Sequence, residues 1–262
     1  MTLRAALFGA AGTVLFLHGN AAHADWWSFI APQFADTHRC AAISWSGMGR
    51  SDWRAAYNIP TFAREAIAAI EVAGLAASGT PPVVVAHSFG GFPTLRLASH
   101  HPEAISGAIL VDSAPPRAEG GPPPRAFAIW RAFSKWSPFF PIGRIVNAGA
   151  KRALSAAEIA AYDAPFPDSR YKAGARIFPS FVPFENNVAI PDQKRAWEVF
   201  EKWDKPFLCC FSDGDPVTRG GESRFIGRVP GTAGQPHCTL KGGHFIQEND
   251  PQGFVDCILK VR

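Results

Sequence analysis

The sequence predicts an α/β fold, a mainly parallel sheet flanked by helices with a helical cap inserted into it, and three observations carry that prediction. Short Val-, Ile-, Leu- and Phe-rich runs are continuous rather than alternating, as in strands buried on both faces. Helix-compatible stretches separate most of these runs, the rhythm of a parallel sheet with crossover helices. One long interval, 115–183, has no buried-strand signal, and a structureless loop of that length does not suit a compact domain.

Taken in order, the strand runs are "TVLFL" (13–17), "CAAIS" (40–44), "PVVVAH" (82–87), "GAILVD" (107–112), "PFLCCF" (206–211) and "PHCTL" (236–240). Helices are expected in "TFAREAIAAIEVAGLAASG" after Pro60, in "FPTLRLASHH" before Pro102, and in "DQKRAWEVFEKW" after Pro191. The interval 115–183 holds Pro, Gly and aromatic residues around "RAFAIWRAFSKW" and "LSAAEIAAY", with "GGPPP" at 120–124 as its entry hinge. The expected organisation is therefore a core made of 1–114 and 184–262, with a helical cap at 115–183.

Composition limits the function. The chain has 262 residues, 47% apolar and 18% charged, which excludes a disordered or fibrous protein. A net charge of +4 without a basic run gives nucleic acid no footing as a partner. No stretch reaches the length of a membrane span, so no membrane partner is expected. The N-terminal "MTLRAALFGAAGTVLFLHGNAAHADWW" imitates a secretory leader. That reading is set aside because Gly9, Gly12 and Thr13 interrupt the apolar run and cleavage after Ala24 would remove "TVLFLHGN". Cys40, Cys209, Cys210, Cys238 and Cys257 are odd in number and show no C-x-x-C spacing. They read as buried thiols of a cytoplasmic protein, with no metal site and no cofactor.

The chemistry centres on "VVVAHSFGGF" at 83–92. A serine between a strand and a helix, with small residues two before (Ala86) and two after (Gly90), sits on a sharp turn with its hydroxyl projecting. Ser88 needs a base and an acid to orient that base. His244, in "KGGHFIQEND" after the last strand, and Asp215, in "FSDGDPVT" after the fifth, supply them in the order Ser, Asp, His. Asp213 and Asp112 stand as rival acids. His87 neighbours the serine but points to the other face of its strand, and is read as structural. Oxyanion donors are expected from the backbone at Phe89, after the nucleophile, and at Asn20, in the "FLHGN" loop, where Gly19 permits close approach. Trp27, Trp130, Trp136 and Phe139 are the candidates for an apolar substrate pocket.

Together, "HGN", "SWSGMGRSD", "AHSFGG", "SDGDP" and "GGHF" resemble the α/β-hydrolase fold family over essentially the whole chain. In the cap and C-terminal half, "LSAAEIAAYDAPFPDSRYKAGARIFPSFVP" and "KPFLCCFSDGDPVTRGGESRF" are similar to haloalkane dehalogenases. The resemblance implies a halide-displacing aspartate followed by a halide-holding Trp, but this sequence has Ser88 and Phe89 there. Asn20 matches the family's other halide ligand. Ser44 stands where relatives usually have Asp, and "TLRAALFG" leaves room for one N-terminal strand where the family usually has two. Serine alkylated at carbon would give an ether, which water does not readily open, whereas an acyl-serine hydrolyses. The sequence therefore points to a serine hydrolase of carboxylic esters working through an acyl-enzyme, with a small-molecule ester as partner and a homodimer as the assembly considered. The alternatives are haloalkane dehalogenase-like, lactone, carbon–carbon or perhydrolysis chemistry, or a non-catalytic ligand-binding homologue.

Overall fold

The computed structural model describes residues 12–118, 121–185 and 187–260. Six strands form one all-parallel sheet in the order β2-β1-β3-β4-β5-β6. They are β1 (Gly12–Leu17), β2 (His38–Ile43), β3 (Val83–His87), β4 (Gly107–Val111), β5 (Phe207–Ser212) and β6 (Cys238–Leu240). Each coincides with one of the apolar runs. The expected N-terminal strand in "TLRAALFG" lies outside the described residues.

Alternation along the strands builds two cores from one sequence run. Leu15, Leu17, Val84 and Ala86 face the layer containing α1 (Ile59–Val72), α2 (Gly91–His100) and α7 (Ile190–Phe200). Val14, Phe16, Val83 and Val85 face the other layer, with α8 (Pro251–Leu259) and the turns around Trp27 and Phe34. The adjacent Cys209 and Cys210 divide between these two cores in the same way.

Between β4 and β5 the described residues contain no strand. They form α3 (Arg125–Trp136), α4 (Ile142–Gly149), α5 (Ala156–Asp163), α6 (Ala173–Ile177) and then α7. Helix α5 begins with a capping box, Ser155 and Glu158 satisfying each other's end of the first turn. Phe140, Ile142, Val146, Phe178 and Phe181 join the core on the α1/α2 side of the sheet.

One expectation fails here. Cys238 on β6 and Cys257 on α8 form a disulfide, with Cα atoms 6.1 Å apart and a sequence separation of 19, so they are not thiols. Cys40, Cys209 and Cys210 are free. Local spacing cannot reveal such a pair, because β6 and α8 are brought together only by the helix packing back on the sheet.

Candidate active site

Strand order places the site. The chain leaves β1 toward β2 on one side and returns to β3 on the other, so the loops after β1 and β3 diverge and open a crevice at the carboxyl ends of the strands. Ser88 follows β3 and Gly19-Asn20 follows β1, and the two meet there.

Ser88 has φ of +51°, a left-handed conformation that costs a non-glycine residue about 1–3 kcal/mol. The turn is held by its neighbours. A Cβ on Gly90 would lie 2.8 Å from the Leu17 carbonyl oxygen and 3.2 Å from that of His18, so only glycine lets α2 start this close to β1. Ser113 Oγ donates to the Ser88 carbonyl. Gly19 presses on Ser88 from the other side, where a Cβ would be 2.5 Å from Ser88 Cβ and 3.1 Å from Oγ.

His244 Nε2 is 2.9 Å from Ser88 Oγ, and its Nδ1 is 2.9 Å from Asp215 Oδ2. Burial alone would lower the His244 pKa, but the bond to Asp215 and its charge outweigh burial and raise it above the ordinary value. Asp215 is buried, which alone would raise its pKa. Its bonds from His244, Thr218 Oγ1 and the Val217 amide prevail and hold it at about 2. It is thus a carboxylate aimed at the imidazole.

The rival acids are accounted for elsewhere. Asp213 accepts from the Gly242 amide at 3.2 Å and shapes the turn carrying the histidine. Asp112 is fully buried at φ of +43° and is bonded to the Ser212 amide (2.7 Å) and hydroxyl (2.6 Å). Burial pushes its pKa up to about 7. His87 bonds to neither Ser88 nor Asp215. Its Nε2–H donates to the His244 carbonyl at 2.6 Å, and burial lowers its pKa to about 3, so it is neutral and braces the histidine loop. Its ring is nonetheless 5.0 Å from that of His244, nearer the triad than its strand face alone suggests.

On the donor side, Phe89 is the second residue of the short 3-10 turn Ser88–Gly90 leading into α2, where the first backbone N–H groups of a helix lack intrahelical partners. Asn20 Oδ1 accepts from the Ala21 amide, and Asn20 Nδ2 is buried without a partner. Its side chain therefore offers a donor in addition to the backbone. His18 fixes this loop: buried and neutral, it accepts from the Trp45 amide at Nε2 and donates from Nδ1 to the Gly19 carbonyl. Ser44 accepts from the Ala24 amide at 2.9 Å, keeping a link between the two loops.

The pocket candidates are the main correction. Trp27 lies in the opposite core, packed on Phe16 and Phe254. Trp136 and Phe139 are exposed, and Trp130 packs on Phe133 and Phe140. Among the described residues, the rings around Phe89 are instead Phe62, Phe92, Phe178 (centroids 3.8 Å away) and Phe181. The sequence signal for the last two is "RIFPSFVPF", where Pro residues punctuate an aromatic run. A cleft of about 770 Å³ opens beyond Trp26 but is lined by none of Ser88, Asp215 or His244. Its Tyr162 joins Trp26 Nε1 to Glu248, and Arg152 joins Glu248 to Glu158, tying α5 to the histidine loop. Among the described residues, no cluster of His, Cys, Asp and Glu could hold a metal ion, and no helix is long and apolar enough to cross a membrane.

Comparison with known proteins agrees with this architecture. The pattern defining the alpha/beta hydrolase family matches residues 14–257. Haloalkane dehalogenase 1 of Mycobacterium bovis is 36% identical over 255 residues, covering 94% of this chain and 82% of its own. The haloalkane dehalogenase of Psychrobacter cryohalolentis is 35% identical over 259 residues, covering 95% and 83%. Among solved structures, the tetrameric haloalkane dehalogenase DpaA from Paraglaciecola agarilytica superposes with a TM-score of 0.77 at 25% identity, covering 92% of this chain and 81% of that one. With the strand order, the elbow at Ser88 and these matches in agreement, the chain belongs to the alpha/beta hydrolase family and within it is similar to haloalkane dehalogenases.

Proposed function

We propose that this hydrolase cleaves carboxylic esters of small molecules, with Ser88 as nucleophile, His244 as general base and acid, and Asp215 as the carboxylate that orients the imidazole. The observation that carries the reading is the continuous relay at hydrogen-bond distance, 2.9 Å from Ser88 Oγ to His244 and 2.9 Å from His244 to Asp215. Ser88 Oγ attacks the carbonyl carbon as its proton passes to His244 Nε2. The oxyanion is met by the Phe89 amide and by Asn20. Collapse of this intermediate expels the alcohol, which takes the proton from His244. Water, deprotonated by His244, then attacks the acyl-serine and releases the acid. The aromatic group of Phe62, Phe89, Phe178 and Phe181 walls the acyl or alcohol side, and 115–183 acts as the cap over the core of 1–114 and 184–262.

A second reading, carbon–halogen hydrolysis, is favoured by the names of the relatives and by the unpartnered Asn20 Nδ2, a donor suited to a halide. Chemistry at Ser88 opposes it. Displacement of halide by Oγ leaves a serine ether with no carbonyl for water to attack, and Phe89 has no N–H on its ring to hold the anion. Incubating the protein with short p-nitrophenyl esters and, in parallel, with bromoalkanes separates the readings. The ester reading requires p-nitrophenol release that Ser88→Ala abolishes and no halide release. Multiple-turnover halide release would replace it. The cytoplasmic location read from five thiols now rests on Cys40, Cys209 and Cys210 alone, since Cys238 and Cys257 are joined. A homodimer remains the proposed assembly, although the DpaA relative is a tetramer.

A further inference from the structure

Helix α3 is inverted for a surface helix. Its one fully buried residue is Ser134, whose Oγ donates to the Arg176 carbonyl at 2.8 Å, while Ile129, Phe133 and Trp136 point outward. Residues 129, 133 and 136 share one helical face, with Arg125 one turn before them. Phe139, three residues past the end of the helix, is exposed as well. Exposure is 61% at Ile129, 37% at Phe133, 74% at Trp136 and 60% at Phe139.

The helix cannot turn this face inward. Phe133 packs beside Trp130 and Phe140, and Phe140 is buried in the core. Arg176 donates to the carbonyls of Ser134 and Ser137 and stacks over Phe140, fixing the helix end. The apolar face is thus held outward by the fold.

Charge says what the patch meets. Residues 120–157 contain Arg125, Arg131, Lys135, Arg144, Lys151 and Arg152 and no Asp or Glu. Arg131 faces Glu185, and Arg152 is engaged by Glu158 and Glu248. Among the described residues, Arg125, Lys135 and Arg144 make no ion pair, and Lys135 Nζ lies 4.8 Å over the Trp136 ring. Exposed aromatics rimmed by unpaired cations, with a Trp at the boundary, match the apolar–polar boundary of an anionic bilayer. A second copy of the chain suits the patch less well. A two-fold contact puts each patch on itself, so Arg125 and Lys135 would face like charges.

We propose that α3 and Phe139 form a docking face for an anionic phospholipid surface, on which the protein lies without spanning it. The proposal departs from the expectation of no membrane partner, which rests on the lack of a spanning stretch, and such a lack says nothing of contact at a bilayer surface. The proposal does not depend on the bond that Ser88 cleaves.

Co-flotation of the full chain with vesicles tests it, comparing phosphatidylglycerol mixed equally with phosphatidylcholine against phosphatidylcholine alone. The chain is expected to float with the anionic vesicles, less so as salt is raised, and to remain unbound with the neutral ones. Trp136→Ser/Phe139→Ser should weaken binding at least tenfold, and Arg125→Ala/Lys135→Ala by about fivefold for each charge removed. Both variants should keep the parent's circular dichroism melt and its turnover of a soluble substrate. Absence of flotation with anionic vesicles, or flotation equal in parent and variants, overturns the proposal. So does a concentration-dependent dimer, seen by sedimentation without lipid, that Trp136→Ser/Phe139→Ser dissolves.

Discussion

The loops at the carboxyl ends of the strands and the inserted segment above them are built on opposite terms. At Ser88, Asp215 and His244 each side chain is fixed by backbone it cannot escape: the turn at φ of +51°, the amides of Val217 and the His87 bond to the His244 carbonyl. In the segment between β4 and β5, short helices are placed by aromatic packing, and one of them buries a serine while exposing a tryptophan. The geometry at Ser88, Asp215 and His244 comes from local turns, whereas the segment between β4 and β5 is placed by tertiary packing.

The sharpest way to break this comparison is to exchange the acids. Asp215→Asn should lower kcat by about 10⁴-fold, as loss of an orienting carboxylate does elsewhere. Asp213→Asn should change kcat less than tenfold, because its carboxylate bonds only the Gly242 amide among the described residues. The pH profile gives a second readout. If neutral His244 is the base, as proposed, activity should fall as pH drops through a pKa that Asp215 raises above the ordinary histidine value. Equal losses in the two variants would mean that the relay assigned to Asp215 is not the working one.

Packing around Ser88 and Phe89 comes next. Phe178→Ala, which removes a fully buried ring 3.8 Å from Phe89, should cost about 3–5 kcal/mol in denaturant unfolding. Trp136→Ala should stay within about 0.5 kcal/mol of the parent. Similar costs would show that the exposed patch is part of the core.

Asp112 gives the smallest effect on turnover but a distinct one on stability. Its folded pKa is raised to about 7, above its unfolded value near 4, so the folded state holds the proton more tightly. Stability from this group is complete below about pH 4 and declines as pH rises toward 7, by a few kcal/mol at most. Asp112→Asn keeps an acceptor for the Ser212 amide and should flatten Tm across that window. An unchanged slope would place the ionisation elsewhere.

These differences explain what could be read in advance. All six strands and the sharp turn at Ser88 are legible in the sequence because each depends on short-range patterning: short apolar runs, and small residues flanking Ser88. The preference for Asp215 over Asp213 and Asp112 rests in the sequence only on its place after β5, whereas the contact itself, 2.9 Å from Asp215 Oδ2 to His244 Nδ1, is set by how the loops after β5 and β6 meet. Of the pocket candidates Trp27, Trp130, Trp136 and Phe139, none packs on Phe89 among the described residues, because a ring's direction on a short helix depends on its neighbours. Phe178 reaches Phe89 through a Pro-punctuated turn whose angle no periodicity encodes. The Cys238–Cys257 disulfide likewise depends on α8 packing back on the sheet, which no local spacing encodes.

The most direct test of the central claim, that Ser88 is a nucleophile activated by His244, is labelling with a fluorophosphonate followed by peptide mapping. The account predicts one phosphonyl adduct, on Ser88, absent after Ser88→Ala and strongly slowed after His244→Ala. A folded protein that takes up no label at Ser88, or labels equally fast without His244, would contradict it.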